Sequence, residues 1–222
     1  MPFELVIFDL DGTLLNTLDD LTAATNGALA EFGFPGQTSE AVRTYIGNGV
    51  GNLIRRAVPA GAPEAVVSAV LSRFKAIYTE NVNVRTRPYP GIVALLEALN
   101  RRGILCAVNS NKVDNAVQSL CDAHFPGLLS MALGEREGIP RKPAPDGAEY
   151  IMRQLGVPRA RTLYVGDGDT DLRTAENARI DCAWVSWGYR ARTELEGIPI
   201  PHACASVAAL GAFILGDAEV NL

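Results

Sequence analysis

The chain has 222 residues, of which 48% are hydrophobic and 20% charged. That is the balance of an ordinary globular protein, long enough for one large domain or one domain carrying an insertion. The formal net charge of −5, without any basic run, argues against a nucleic-acid partner.

No apolar run is long enough to span a bilayer, so no membrane partner is expected. The first residues lack the basic and apolar segments of a signal peptide, and a cytoplasmic location is expected. Cys106, Cys121, Cys182 and Cys204 are scattered without metal-like spacing, and Cys106 and Cys182 read as small buried hydrophobes.

Leu5-Val6-Ile7-Phe8 predicts a buried strand. It ends abruptly in Asp9-Leu10-Asp11-Gly12-Thr13. Two carboxylates at i and i+2 repel each other unless a cation lies between them or one keeps its proton. Gly12 allows the sharp turn that follows. Residues 19–32 then carry apolar or small side chains at Leu21, Ala24, Ala28 and Leu29, the stripe of an amphipathic helix. Phe34-Pro35-Gly36 breaks it, and Ser39 is placed to cap a second helix running toward Tyr45. Gly47-Asn48-Gly49-Val50-Gly51 reads as a flexible turn, followed by helices over residues 53–58 and 63–78. This stretch predicts no strand, and looks like a helical insertion that returns through Arg85-Thr86-Arg87-Pro88.

From Pro90 the pattern changes. Ile92, Leu95, Leu96 and Leu99 form a helical stripe ended by Gly103. Residues 104–108 predict a strand, 113–121 a helix, 128–133 a weaker strand, and 145–155 a helix stopped by Gly156. Residues 162–165 predict another strand, 171–178 a helix, 182–185 a last strand, and 206–215 a closing helix. Strands alternating with helices predict βαβ units. The fold class is therefore α/β, a Rossmann-like doubly wound parallel sheet with an inserted α-helical domain. Its expected division is a core of residues 1–16 and 86–222, with the insertion at 17–85.

In open α/β sheets, ligands gather beyond the carboxyl ends of the strands. The first strand delivers Asp9 and Asp11 there. The second delivers Asn109-Ser110-Asn111-Lys112, and Arg141-Lys142-Pro143-Ala144-Pro145 lies near the third. The fourth delivers Gly166-Asp167-Gly168-Asp169-Thr170-Asp171. Several carboxylates, a hydroxyl, an amide and at least one lysine thus share one rim. Carboxylates are hard oxygen ligands suited to Mg²⁺, which clamps phosphoryl oxygens. Ser110 and the amides around it can donate to a phosphate, and Lys142 can neutralise both an aspartate and the phosphate. One aspartate can then attack phosphorus, while the other protonates the leaving oxygen and later activates water.

This ordered set resembles the haloacid dehalogenase superfamily of phosphotransferases. The matching pieces are Asp9-Leu10-Asp11-Gly12-Thr13, Ser110-Asn111, Lys142-Pro143-Ala144-Pro145, and Gly166-Asp167 with Asp171. The resemblance implies that Asp9 is the nucleophile and Asp11 the general acid/base. It implies that Ser110, Asn111, Gly12 and Lys142 hold the phosphoryl group, with Lys142 also restraining Asp9. Asp9, the carbonyl of Asp11, and Asp167 would bind Mg²⁺, with Asp171 supporting the shell. The helical insertion corresponds to the family's cap. An acid at position 11 favours phosphate chemistry, because the family's dehalogenases lack it.

Within the superfamily the chain resembles phosphoglycolate phosphatases, through Tyr45-Ile46-Gly47-Asn48-Gly49, Leu53-Ile54-Arg55-Arg56-Ala57 and Pro88-Tyr89-Pro90-Gly91. The implied substrate is a small phosphorylated metabolite, with Arg55 or Arg56 meeting a substrate carboxylate. A sugar-phosphate mutase or a non-catalytic binding homologue would use the same scaffold. Gly168, Asp169, Arg179 and Asn109 depart from the family's usual residues. His124 and His202 have no catalytic partner in view and are expected to be structural or on the surface. Oligomeric state is not legible.

Overall fold

A computed structural model describes residues 3–47 and 49–216. The chain forms two compact units, one made of the residues up to Leu15 and from Pro88 onward, the other of Asn16–Arg87.

Strand β1, Leu5–Phe8, opens the first unit. The two crossings between units are two-residue strands, β2 (Leu15–Asn16) and β3 (Arg87–Pro88), paired with each other. Between them lie α1 (Leu18–Glu31), α2 (Ser39–Tyr45), α3 (Gly49–Ala57) and α4 (Glu64–Glu80). Helix α1 buries Leu21, Ala24, Ala28 and Leu29, and α4 buries Val67, Val70, Phe74 and Tyr78. Steps of three and four put each set on one helical stripe.

Two details of this unit differ from the sequence expectation. The cap of α2 is Thr38, whose hydroxyl accepts the Ala41 N–H, so Ser39 is the first helical residue instead. Helix α3 begins at Gly49, inside the stretch expected to be a turn. Each helical glycine costs about 1 kcal/mol relative to alanine, and the burial of Leu53, Ile54 and Ala57 offsets that. Position 48 of the expected turn lies outside the described residues.

Asp20 is a buried acid that the pattern did not single out. Its carboxylate accepts the Arg85 and Thr86 N–H groups and the Thr86 hydroxyl at 2.8–3.0 Å. It ties the start of α1 to the returning chain.

The other unit continues with α5 (Ile92–Arg101), β4 (Leu105–Val113), α6 (Asp114–His124), β5 (Met131–Glu135) and α7 (Asp146–Leu155). Then follow β6 (Thr162–Gly166), α8 (Asp169–Ala178), β7 (Asp181–Val185), β8 (His202–Cys204) and α9 (Val207–Leu215). Among the described residues, six strands form one sheet in the order β5-β4-β1-β6-β7-β8, and the pairings are parallel. Every residue of β1 is buried, as expected where helices cover both faces. Leu5 and Ile7 pack with Ala107, Ile151, Tyr164 and Trp184 on one face.

The expected last strand, 182–185, is followed by β8, which pairs Ala183 with His202 and Val185 with Cys204. Three residues without an apolar run give no strand signal. Strand β4 also outruns its expected end at position 108. Its polar residues Asn109, Ser110, Asn111 and Lys112 stay buried, and the register against β5 shifts between Asn109 and Val113. The sulfurs are free and buried. Burial pushes the Cys106 and Cys121 thiols up to about 12, which leaves them inert.

Candidate active site

The sheet sets β1 between β4 and β6, so the residue after Phe8 emerges flanked by the ends of both neighbours. The Asp9 N–H donates to Val165 O at 2.8 Å, continuing the ladder by one residue. Asp9 Oδ1 accepts the Leu10 N–H at 2.7 Å and faces Lys142 Nζ at 2.8 Å. The same ammonium lies 2.7 Å from Asp171 Oδ1, and Asp171 Oδ2 accepts the Gly168 N–H at 3.1 Å. Lys142 is itself fixed through its backbone. Its N–H donates to Asn111 Oδ1 at 2.9 Å, and its carbonyl accepts from Asn111 Nδ2 at 3.1 Å. Asn111, expected among the phosphate-binding groups, thus engages the lysine's main chain.

Asp167, after β6, is held from three sides. Its Oδ1 accepts the Thr13 hydroxyl at 3.2 Å, its Oδ2 the Tyr189 N–H at 2.6 Å, and its carbonyl the Trp184 indole N–H at 2.8 Å. Gly12 has φ +89°, and a Cβ there would stand 2.6 Å from Asp167 Oδ2. A Cβ on Gly188 would stand 2.2 Å from Asp167 Cβ. Only glycine at both positions lets the turn after β1 and the turn after β7 close on this carboxylate. Trp187 also donates its indole N–H to Thr13 O at 3.1 Å.

The segment 186–189 therefore belongs to the rim, and four strand ends alone do not reveal it. Its signal was available: an aromatic pair around a glycine directly after a strand, where the strand-end rule places ligand contacts.

Asp11 pairs with Lys112. Asp11 Oδ1 lies 2.9 Å from Lys112 Nζ, and the lysine side chain is 4% exposed. Ser110 Oγ accepts the Lys112 N–H at 3.2 Å. Lys112 was visible after the second strand, but nothing in its spacing separated it from a solvated lysine.

Asp9, Asp11, Gly12, Ser110, Asn111, Lys142, Asp167 and Asp171 all lie in the α/β unit. Arg55 lies on α3 of the helical unit, where both its terminal nitrogens pair with Glu64 at 2.7 Å. Arg56 donates to Thr44 O at 3.1 Å. His202 packs on Phe213, with ring centroids 4.3 Å apart, and His124 ends α6.

Burial dominates the electrostatics. It raises the Asp9 carboxyl well above the usual range, with Asp171 adding to the rise and Lys142 opposing it. Burial, then Asp171, raises Asp167 to about 7, against the Tyr189 N–H, which opposes the shift. For Lys142, burial works against the charged form, but Asp171 and Asp9 outweigh it and hold the ammonium well above an ordinary lysine. Tyr164 lies beneath, with the ammonium 5.9 Å from its ring centre and its hydroxyl donating to Asn109 O at 3.3 Å.

Asp9, Asp167 and Asp171 each bring one carboxylate oxygen within 4.8 Å of the others. Three crowded, largely buried carboxylates offer more negative charge than the one Lys142 ammonium compensates. An all-oxygen donor set of this kind fits a hard divalent cation such as Mg²⁺.

The pattern of the haloacid dehalogenase-like hydrolases matches residues 6–185, more than half of the chain. This chain is a haloacid dehalogenase-like hydrolase. Among curated members, it is 36% identical over 192 residues to phosphoglycolate phosphatase 1 of Pseudomonas aeruginosa, covering 84% of this chain and 70% of that one. It is 36% identical over 195 residues to the phosphoglycolate phosphatase of Haemophilus influenzae strain 86-028NP, covering 84% and 87%.

Solved members of the family share the fold. A putative phosphoglycolate phosphatase from Lactobacillus delbrueckii subsp. bulgaricus superposes with a TM-score of 0.92 at 34% identity, over 97% of this chain and 100% of that one. CbbY from Rhodobacter sphaeroides, solved in complex with phosphate, gives a TM-score of 0.74 at 27% identity, over 94% and 96%.

Proposed function

We propose that this hydrolase is a Mg²⁺-dependent phosphatase that cleaves a small phosphate monoester, 2-phosphoglycolate in the first instance, through an aspartyl-phosphate on Asp9. The observation that carries this reading is the single buried ammonium of Lys142 set between Asp9 and Asp171, 2.8 and 2.7 Å away.

Asp9 is the nucleophile. Both of its side-chain contacts described above fall on Oδ1, so Oδ2 is the oxygen offered to phosphorus. The P–O bond to the leaving alcohol breaks as the Asp9 Oδ2–P bond forms. Asp11 gives its proton to the departing oxygen, then takes one from the water that attacks the aspartyl-phosphate, which releases inorganic phosphate and restores Asp9. Lys142 restrains Asp9 before attack and neutralises phosphoryl charge afterwards. Ser110 contributes to holding the phosphoryl oxygens, and Asn111 keeps Lys142 in place. The Gly12 N–H, expected among the phosphate donors, is instead taken by Leu15 O at 2.9 Å, so Gly12 serves the turn and its close approach to Asp167.

Asp9, Asp167, the Asp11 carbonyl and, in support, Asp171 would hold Mg²⁺. When bound, the ion neutralises the carboxylate crowd and stabilises charge on the phosphoryl group. Residues 17–85 are assigned as the cap, which admits substrate and then excludes bulk water. Arg55 is the candidate for a substrate carboxylate, exchanging Glu64 for the ligand. The relatives named for phosphoglycolate support this choice of substrate, as does the resemblance of the 45–57 segment.

Phosphate release from 2-phosphoglycolate, measured against a panel of small phosphoesters with and without Mg²⁺, tests the proposal. Turnover that is highest on 2-phosphoglycolate and lost on chelation is expected. Equal rates across the panel would overturn the substrate, and rates indifferent to chelation would overturn the metal requirement.

A further inference from the structure

We infer that Lys112 is a positioning residue for the proton carrier: its ammonium holds Asp11 Oδ1, so that the transferred proton is carried on Oδ2, while its backbone N–H buttresses the Ser110 hydroxyl. The inference rests on the phosphatase reading above, in which Asp11 moves the protons.

Two lysines are buried in this rim, 5% exposed at Lys112 and 6% at Lys142. Removing an ammonium from water costs several kcal/mol unless a close anion compensates, so each lysine's partner explains its burial. Lys142 serves Asp9 and Asp171. Lys112 serves Asp11, with Nζ and Oδ1 2.9 Å apart and side chains only 4% and 13% exposed. The acids assigned to attack and to proton transfer are therefore held by different cations, Lys112 near the end of β4 and Lys142 in the segment after β5.

The placement of Lys112 comes from the departure of β4 from regular pairing. Between Asn109 and Val113 the register with β5 shifts. Within that stretch the Lys112 N–H turns back onto Ser110 Oγ at 3.2 Å. One residue thus braces the phosphate-binding hydroxyl with its main chain and the proton carrier with its side chain. A carboxylate on a single rotatable stem drifts when its partner is lost, and an error of about 1 Å in a reacting group costs on the order of 10²-fold in rate.

A two-by-two comparison of Lys112→Met and Asp11→Asn, each alone and together, tests this. p-Nitrophenyl phosphate is the substrate: its leaving group needs no proton, so turnover of the Asp11→Asn variant stays measurable, while Asp11 is still required to take the proton of the water that attacks the aspartyl-phosphate. Lys112→Met should lower kcat on the order of 10- to 100-fold, with KM and the Mg²⁺ half-saturation concentration unchanged. In the Asp11→Asn background the same change should cost less than about threefold, since a residue acting through another loses its effect when that other is gone. Lys112→Arg should recover part of kcat.

An equal loss of kcat in both backgrounds would overturn the inference. A raised KM with kcat intact would also overturn it, by making Lys112 a substrate contact. If Lys112→Met does not fold, Lys112→Gln takes its place with the same expectations. Asp9→Asn, run in parallel, separates the two claims. Turnover surviving that change would sink the nucleophile assignment, while the coupling between positions 11 and 112 would still be read from the four proteins.

Discussion

The Tyr189 backbone N–H meets Asp167 Oδ2 at 2.6 Å, so the segment after β7 fixes a carboxylate that the segment after β6 supplies. Asp167 needs this help, because burial favours its protonated form, and a donor to the charged form opposes that. The contact exists only because Gly188 has no side chain: a Cβ there would lie 2.2 Å from Asp167 Cβ.

Gly188→Ala should therefore displace Asp167 or open the turn. A cost on the order of 1–3 kcal/mol in unfolding free energy is expected from overpacking, together with weaker Mg²⁺ binding. Chemical denaturation and calorimetric titration of Mg²⁺ check the two effects. Unchanged values in both would show that this turn does not hold Asp167.

Lys142→Met should remove the cation that Asp9 and Asp171 share. Breaking a buried pair by deleting one partner typically costs about 3–5 kcal/mol. Asp9, already raised by burial and then without the opposing Lys142 ammonium, can escape by taking up a proton, so the deficit should be larger at pH 8 than at pH 5. Denaturation of wild type and variant at both pH values measures this. A deficit that grows as pH falls would contradict it.

The metal-free protein should lose stability as pH rises. Asp167 binds its proton more tightly folded, at about 7, than its ordinary value of 3.8, and Asp9 is shifted in the same direction. Between those values the folded state binds more protons than the unfolded state, so stability is full below pH 4 and falls as pH rises toward 7. This contribution should lower Tm on the order of 5 °C across the window. Saturating Mg²⁺ should reverse it, because ligation requires the deprotonated carboxylates. Thermal scans with and without Mg²⁺ from pH 5 to pH 8 report it, and a metal-independent profile would count against the site.

Asp20→Ala should loosen the base of the helical unit without touching the rim. Its carboxylate accepts two backbone N–H groups and one hydroxyl from Arg85 and Thr86. Leaving those donors unmet costs about 1–3 kcal/mol. The Arg85 and Thr86 amides should lose hydrogen-exchange protection, while amides of β1 and β6 keep theirs. Equal protection at 85 and 86 in the variant would refute the clamp.

The candidate constellation was legible because its residue types coincide with strand ends. Leu5-Val6-Ile7-Phe8 and Thr162-Leu163-Tyr164-Val165 are apolar runs that stop at acids, and the topology brings those acids together. Residues whose role depends on a distant partner were not legible. Lys112 looks like any polar residue beyond a strand until its ammonium is found on Asp11. Tyr189 contributes a backbone N–H, which carries no side-chain signature. Asp20 appears as an ordinary first-turn acid, although its partners lie 65 and 66 residues further along the chain. Strand β8 is three residues of mixed polarity, and it exists because β7 offers it an edge.

The central claim is that Asp9 attacks phosphorus. Its most direct test is acid-quench trapping of the phosphoenzyme from ³²P-labelled substrate, with wild type and Asp9→Asn compared at saturating Mg²⁺. Wild type should yield a hydroxylamine-labile acyl-phosphate on Asp9 that forms and decays at rates compatible with turnover, and Asp9→Asn should give neither label nor phosphate. Phosphate release by Asp9→Asn at the wild-type rate would contradict the account.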